Sequence, residues 1–399
     1  MTDSTRAVFY KMGNVIQDYA WGSVTSIEHL FAIPNPQQKP QAEMWMGAHA
    51  NGCSTIIVNG ETVRLADFIA TDPDAIIGAE TQAKFAELPY LFKVLAAEKA
   101  LSVQVHPSKH QAEIGYAKEE KIGIARNAAN RNYKDPNHKP ELVFALTPYQ
   151  AMNGFRQIAE IVTLFQTLNI EVISDLVAQL AANQTEAGLG AFFEAMLSLE
   201  GEHKDAAVNA LLAFCKVNQE QPLFALLLEL AEQYPGDIGL FAPLMLNVLT
   251  LQPGEAMFLS ACTPHAYIKG TGLEIMANSD NVLRAGLTPK FMDVPELVAN
   301  TEFTSMAVDK LLLAPTVAEG GLHYHVPVPD FKFSVYKQVH DIALQNTSAE
   351  ILFAIDALLT VTHHNGETLM LEKGQSVFIP AYAKAYSAHC DGMFARAYN

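Results

Sequence analysis

Cysteine is scarce and scattered. The four cysteines, Cys53, Cys215, Cys262 and Cys390, stand far apart with no C-x-x-C pair. That excludes a disulfide framework and a cysteine-rich zinc site, and it points to a reducing cytoplasm. Basic residues are few as well: 26 Lys and Arg against 43 Asp and Glu leave a net charge of −17. Non-specific binding of nucleic acid needs a basic field that displaces counterions, so nucleic acid is not an expected partner. No apolar run is long enough for a membrane. The longest uncharged stretch, Ile238 to Gly254, is broken by Pro243, Asn247, Gln252 and Pro253, whereas a span takes about 20 predominantly apolar residues. The opening residues Met1-Thr2-Asp3-Ser4-Thr5-Arg6 carry an acid and lead into no apolar segment, so no secretory signal is expected there.

Apolar residues as such are plentiful. They make up 50% of the 399 residues, with 17% charged, enough apolar surface to offset the entropy of ordering. At about 150 residues per domain the length predicts two or three domains. Three zones differ in composition. Residues 1 to about 153 are rich in Gly, Pro and Asn with short apolar runs such as Leu142-Val143-Phe144-Ala145, and they read as mainly β with a few helices. Residues 155–240 hold twelve acids against three bases, and their apolar spacing is helical: Leu223, Leu226, Leu227 and Leu230 recur at three- and four-residue steps. This is the pattern of a small helical domain inserted into a β framework, its acid excess a solvated surface. From about 242 short strands return: Ala256 to Leu259, Phe331 to Val339, Ile351 to Ala354, Thr368 to Leu371 and Ser376 to Ile379. Strands at this spacing with Gly/Pro turns predict a sandwich or jelly-roll.

An internal repeat supports that prediction. Pro253-Gly254-Glu255-Ala256-Met257-Phe258-Leu259-Ser260-Ala261 resembles Lys373-Gly374-Gln375-Ser376-Val377-Phe378-Ile379-Pro380-Ala381 at an offset of 120. Downstream, His265 of the first copy meets Ala385 of the second. Two repeated β units of which only the first kept a ligand are therefore expected, and chemistry is to be sought in the first.

Gln104-Val105-His106-Pro107 follows an expected strand at Leu101-Ser102-Val103, and residues i and i+2 of a strand share a face. Asn137-His138-Lys139-Pro140-Glu141 opens another strand with a carboxylate, and Thr263-Pro264-His265-Ala266-Tyr267 supplies a second imidazole. Two His and one Glu with an open position make a plausible catalytic Zn²⁺ shell, but the segments are distant, and on spacing alone structural histidines with satisfied hydrogen bonds are the favoured reading.

The wording of the segments goes further. Leu91-Phe92-Lys93-Val94-Leu95 running into Leu101 to Pro107 resembles the type I mannose-6-phosphate isomerase family. So do Tyr133 to Glu141, Asn278 to Lys290, Pro253 through Tyr267, and Ala42-Glu43-Met44-Trp45-Met46-Gly47. The resemblance runs almost end to end. It implies two cupin-like jelly-roll β domains with α structure added: a discontinuous zinc-binding catalytic unit over 1–153 and 242–315, a helical insert over 154–241, and a C-terminal cupin-like unit over 316–399 without metal ligands. It implies one Zn²⁺ per chain on Gln104, His106, Glu141 and His265, the amide being a ligand that zinc preferences alone would not predict. The implied reaction interconverts mannose 6-phosphate and fructose 6-phosphate by moving a proton between C1 and C2 through a cis-enediol.

Charge developing on O1 and O2 of such an intermediate calls for electrostatic stabilisation. Arg284 matches the family's catalytic arginine. Glu274, Asp280, His138 and Lys139 are the candidates for proton transfer, with Glu274 preferred; Ser102, Lys93 and Lys139 are candidates for the sugar phosphate. An anionic substrate needs a field unlike the global one, and between Lys93 and Glu141 nine bases face six acids. Lys109, Lys118 and Lys121 among these read as solvated surface charge. His323-Tyr324-His325 has a cupin-like H-x-H spacing but no following Glu, and it reads as packing or surface, as do His363-His364, His49 and His110. Trp21 and Trp45 are expected in the core. The expected protein is a cytoplasmic monomer or small homo-oligomer; an iron-dependent dioxygenase on the same scaffold and a non-catalytic sugar-phosphate binder are the alternatives.

Overall fold

The computed structural model describes residues 6–399. Two large antiparallel sheets lie back to back, with a separate two-stranded one (Thr55–Val58 with Glu61–Arg64), and a helical block sits beside one of the large sheets. The site sheet contains β1 (Glu43–Met46), β2 (Tyr90–Ala97), β3 (Gln104–Val105), β4 (Glu141–Ala145), β5 (Tyr149–Phe155), β6 (Leu246–Leu251), β7 (Ala256–Leu259), β8 (His265–Ala277) and β9 (Leu283–Arg284). Its main path runs β6-β5-β8-β2-β1, with β4 pairing β7 and β8, and β3 pairing β8 and β9. The path does not close into a barrel; the expected jelly-roll is an open, folded sheet. The expected strand at Leu101–Val103 is shifted: only Gln104–Val105 joins the ladder. A 14-residue helix, α1 (Lys109–Ile122), follows β3 behind a Ser108/Gln111 capping box.

The 13-residue β8 is the axis of this sheet. Its first part pairs with β5 and β3, and from Gly270 onward it pairs with β2 and β4. Gly270 stands at the change of partners with φ +127°, and a Cβ there would lie 2.5 Å from the Pro148 carbonyl oxygen. Only glycine fits both the conformation and the space. A register shift between Tyr267 and Lys269 adds one residue to the alternation, as β-bulges do. His265 and Tyr267 before the shift and Glu274 and Met276 after it therefore look into the same cavity, although they differ in parity.

Neighbouring strands follow strict alternation. Lys93, Leu91 and Leu95 of β2 and Glu43 and Trp45 of β1 line the cavity, while Phe92, Val94, Met44 and Met46 turn to the other face. That apolar back face packs on Phe333, Val335, Ile351, Phe353, Ala395 and Ala397 of the C-terminal sheet, so one core joins the two sheets.

The C-terminal sheet is built on β10 (Lys332–Gln345), β11 (Glu350–Ala354), β12 (Ser376–Ile379) and β13 (Ala385–Tyr398). β10 runs six residues beyond its expected end at Val339, through two register shifts against β13. The first described strand, Tyr10–Lys11, adds to this sheet beside β12 rather than to the site sheet. The repeat holds in the pairing. Leu259 of β7 pairs with Glu141, and Ile379 of β12, its repeat partner, pairs with Glu350. Glu350 is fully buried, and it accepts a 2.5 Å bond from Arg396 Nε.

Between β5 and β6 run α2 (Ile158–Leu168), α3 (Ser174–Ala182), α4 (Glu186–Leu197), α5 (Gly201–Val217), α6 (Pro222–Gln233) and the one-turn α7 (Ala242–Met245). Pro222 opens α6 at its first position, where its missing N–H costs nothing. The apolar faces (Phe165, Phe192, Met196, Leu211, Leu227 and Leu230 among them) form one cluster with Val103 and with Val105, Phe155, Ala266 and Leu283 of the site sheet. The insert therefore has no core of its own; it completes that of the strands carrying Gln104, His265 and Arg284.

Candidate metal centre and cavity

A cavity of about 380 Å³ opens on one face of the site sheet, walled by β1, β2, β8 and the segments around Gln104, Lys139 and Asp280. At its floor the side chains of His106, Glu141 and His265 converge, all buried, with one potential ligand atom of each within 4.8 Å of the others. His106 Nδ1 lies 2.7 Å from the Asn281 carbonyl oxygen and His265 Nδ1 lies 2.8 Å from that of Thr263. Each carbonyl accepts only from a protonated Nδ1, so both Nε2 atoms carry lone pairs. His106 Nε2 is buried without a hydrogen-bond partner and stands 3.2 Å from Glu141 Oε1. A lone pair held against a buried carboxylate, with a second imidazole beside it, is the donor set of a cation site, and the residue types suit Zn²⁺. Burial lowers His106 to about 4, with the Lys139 ammonium acting in the same direction; burial also lowers His265. Both rings are thus neutral. Burial would raise Glu141, but the Lys139 ammonium holds it well below the ordinary carboxylate range, with the imidazoles adding to this once protonated. Tyr267 donates a 2.7 Å bond to its Oε2.

Gln104 reaches the same floor. Its Cα pairs with His265 on one side and Arg284 on the other, and its Nε2 donates to Ser102 Oγ at 3.2 Å, which leaves the amide oxygen as the free donor atom for a cation.

The wall formed by β1, β2 and β8 is acidic around one cation. Lys93 Nζ lies 2.7 Å from Glu274 Oε2 and 3.7 Å from Glu43 Oε1, over the Trp45 ring. Two carboxylates share a single ammonium out of water, so one carries uncompensated charge. Burial pushes Glu274 up to about 7, with Glu141 and Glu43 pushing the same way against Lys93. Burial would lower Lys93, but Glu274 and Glu43 raise it well above its ordinary range, and it stays charged.

The opposite end is cationic. Arg284, Lys134, Lys290 and Ser102 line it, and Arg284, Lys290 and Ser102 also border an adjoining recess of about 200 Å³. Among the described residues no carboxylate pairs with Arg284, whose guanidinium burial lowers somewhat. Lys290 is lowered by burial and by the neighbouring Arg284 and Lys134 charges. Lys134 and Lys290 are exposed, whereas Arg284 is part-buried without an acid, which calls for an anion or water in place of the missing partner.

The structure thus brings Gln104, Glu141, His265, Lys93, Lys139, Glu274, Asp280, Arg284 and Ser102 to one cavity, with His106 beneath it. His138 does not join them: its Nε2 is 3.0 Å from both carboxylate oxygens of buried Asp330, at the seam with the C-terminal sheet. Lys93, taken above for phosphate, is held by acids instead, and Lys139 sits 3.2 Å from Glu141. Asp280 lies at the rim, accepting from Asn51 and 3.4 Å from His49 Nε2. Trp45 is buried in a small core cluster with Leu91 and Met276, as expected, and Trp21 packs partly buried against a neighbouring one; both also border the cavity. His323 is tied to Ser334 and the Ala318 carbonyl, and His363 to the Ala383 carbonyl, as packing residues are. Sequence reasoning missed Lys134, Lys290 and Glu43, and also Asn281. The side chain of Asn281 donates to the carbonyls of Asp135 and Asn137 while its own carbonyl orients His106. Lys134, Lys290 and Asn281 lie within the quoted segments Tyr133–Glu141 and Asn278–Lys290, which was the available signal.

Comparison with known proteins agrees with this geometry. Residues 9–158 match the family model of the phosphomannose isomerase type I catalytic domain, and residues 165–246 match that of its helical insertion domain. The chain is 48% identical to mannose-6-phosphate isomerase of Salmonella typhimurium, over 98% of this chain and 99% of that protein. It is 37% identical to the Homo sapiens mannose-6-phosphate isomerase over 93% of each. A crystal structure of zinc-bound mannose 6-phosphate isomerase superposes with a TM-score of 0.94 at 46% identity, covering 98% of this chain and 100% of that one. No helix among the described residues is long and apolar enough to cross a membrane.

Proposed function

The chain belongs to the type I phosphomannose isomerase family, and from that premise we propose that it interconverts mannose 6-phosphate and fructose 6-phosphate with one Zn²⁺ bound per chain. His106, Glu141, His265 and Gln104 would hold the metal. When bound, the ion supplies Lewis-acid stabilisation of negative charge on the sugar oxygens. The observation that carries this reading is the pair of neutral imidazoles, each fixed through Nδ1 by a backbone carbonyl, with both Nε2 lone pairs turned toward one buried carboxylate. A catalytic unit of 1–153 and 242–315, an insert of 154–241 and a C-terminal unit of 316–399 remain the working division.

The remaining residues divide by charge. Lys134 and Lys290 with Ser102 suit the dianionic phosphate, because among the described residues no acid is paired with either lysine. Lys93 and Lys139 are already paired with carboxylates and suit the sugar end. Glu274 is the proton carrier: as a carboxylate it takes the proton from C2 of the open-chain aldose, and as the acid it returns one to C1 of the cis-enediol, while the hydroxyl proton passes from O2 to O1. A pKa near neutrality is what such two-way transfer requires. The Lys93 ammonium, ion-paired with Glu274 at 2.7 Å, keeps the carboxylate aimed and limits its rise. Arg284, whose backbone pairs with Gln104, stands between the metal ligands and the phosphate end and holds the sugar chain across both.

A coupled assay with metal analysis tests the assignment. His265→Ala should lose both zinc and activity, because three ligands remain; zinc retained at full occupancy would refute the ligand set. Arg284→Ala should keep its zinc but lose about 10²-fold or more in turnover, the scale of one charge-stabilising donor. Unaltered turnover in that variant would remove Arg284 from the mechanism.

A further inference from the structure

The C-terminal sheet has lost the interior ligands of its repeat partner, yet its outer face gathers a separate set of donors. β13 alternates strictly here: Ala388 and Cys390 are buried, while His389 and Asp391 face outward. They therefore share one surface at i and i+2. On the adjacent β10 the ladder pairs Val339 with Cys390 and Ile342 with Ala388. Two residues of β10, His340 and Asp341, thus stand opposite the single residue His389. Gln338 and Asp341 on either side of His340 have φ of +50° and +52°, the left-handed conformation that a bulge demands and that non-glycine residues adopt at a cost. The outcome of this distortion is that His340 is turned onto His389, ring centroids 5.0 Å apart, where strict pairing would leave a single side chain opposite it.

We propose that His340, His389 and Asp391 form a second metal site, on the outside of the C-terminal unit, selective for divalent transition ions of the Zn²⁺, Ni²⁺ and Cu²⁺ type. One ligand atom of each residue lies within 4.8 Å of the others. His389 Nε2 is 3.7 Å from Asp391 Oδ1, and its Nδ1 is 4.0 Å from Asp341 Oδ1. Coordination through Nε2 leaves Nδ1–H facing the Asp341 carboxylate 4.0 Å away, which a small side-chain rotation would bring into place as the outer partner of a ligating imidazole. Two imidazoles with one carboxylate favour borderline ions over Mg²⁺ and Ca²⁺, which take all-oxygen shells. His340 and Asp391 are exposed and His389 is part-buried, so the remaining coordination positions fall to water. The pair of imidazoles sits on two hydrogen-bonded strands, so little ordering is needed on binding. The proposal is independent of the zinc in the cavity, which lies in the other sheet.

The test uses holoenzyme whose catalytic zinc has been measured, titrated calorimetrically with Ni²⁺ and, separately, with Mg²⁺. The parent should take up one further Ni²⁺ per chain and no Mg²⁺ at the same concentrations. His389→Ala and His340→Ala should each weaken that second equivalent at least tenfold, with catalytic zinc content and isomerase rate unchanged; His364→Ala should leave it intact. Absence of a second equivalent in the parent, Mg²⁺ binding as tight as Ni²⁺, or full retention in His389→Ala would each overturn the proposal.

Discussion

Glu274 shows how one side chain acquires a chemical role from its surroundings. An acid at an ordinary carboxylate pKa would be a poor proton carrier, returning its proton too rarely to be useful near neutrality. Burial beside Glu43 and Glu141, incompletely offset by Lys93, brings it to about 7. The working form for abstraction is the ionised one, so turnover of the aldose should fall as pH drops below about 7 and level off above it. Glu274→Gln should lose about 10²- to 10⁴-fold in kcat, the range of a general base, and lose that acid limb while keeping its zinc. A pH profile of kcat for both proteins checks this. The sign for stability runs the other way from that of a normal ion-paired acid. The folded state holds this proton more tightly than the unfolded chain does, so stability from this group is present below about 4.5 and declines as pH rises toward 7.

At the scale of elements, β8 decides the site. It carries His265 at its first residue and Glu274 nine positions on, and Gly270 lets it change partners between the two. Gly270→Ala would force a Cβ against Pro148 and Tyr149 in a conformation that L side chains rarely adopt. It should cost about 3 kcal/mol or more and displace His265 relative to Glu274, so both the denaturation midpoint and zinc affinity should fall. Much of this region was legible. Ala256–Leu259 and Ser376–Ile379 have the predicted bounds, and the offset of 120 is visible in the pairing of Leu259 with Glu141 and Ile379 with Glu350. The four proposed metal ligands were named from matching segments. Position was harder to read. The run Leu101-Ser102-Val103 is apolar enough for a strand, yet it stays outside the ladder, and the signal of α1, Ser108 with Gln111 three residues later, went unread. His138 and Lys93 show the limit clearly: their segments are right, but whether a side chain faces substrate or a neighbouring acid is decided by contacts with Asp330 and Glu274 that lie 192 and 181 residues away.

For the whole molecule, the two sheets use one pairing pattern for opposite ends. Where the first keeps Glu141 among imidazoles beneath an open cavity, the second neutralises Glu350 with Arg396 and fills the space. A buried charge left alone is costly, so Arg396→Leu should destabilise by about 3–5 kcal/mol. The double variant Glu350→Leu with Arg396→Leu should recover most of that, as measured by urea unfolding. Isomerase activity should be unaffected wherever the protein remains folded. The insert belongs to the same cooperative unit as the site because its helices and β3, β8 and β9 bury one cluster.

The irregularity between Tyr267 and Lys269 has a consequence for which changes the gene could survive. Loss of one residue at that point would restore even spacing along β8 and leave Glu274 and Met276 on the cavity face. The same loss further along, with the irregularity kept, would turn everything beyond it over: Leu273 and Ile275 would confront the sugar, and Glu274 would be driven into oil. The strand can tolerate a new count at that point far better than anywhere beyond it.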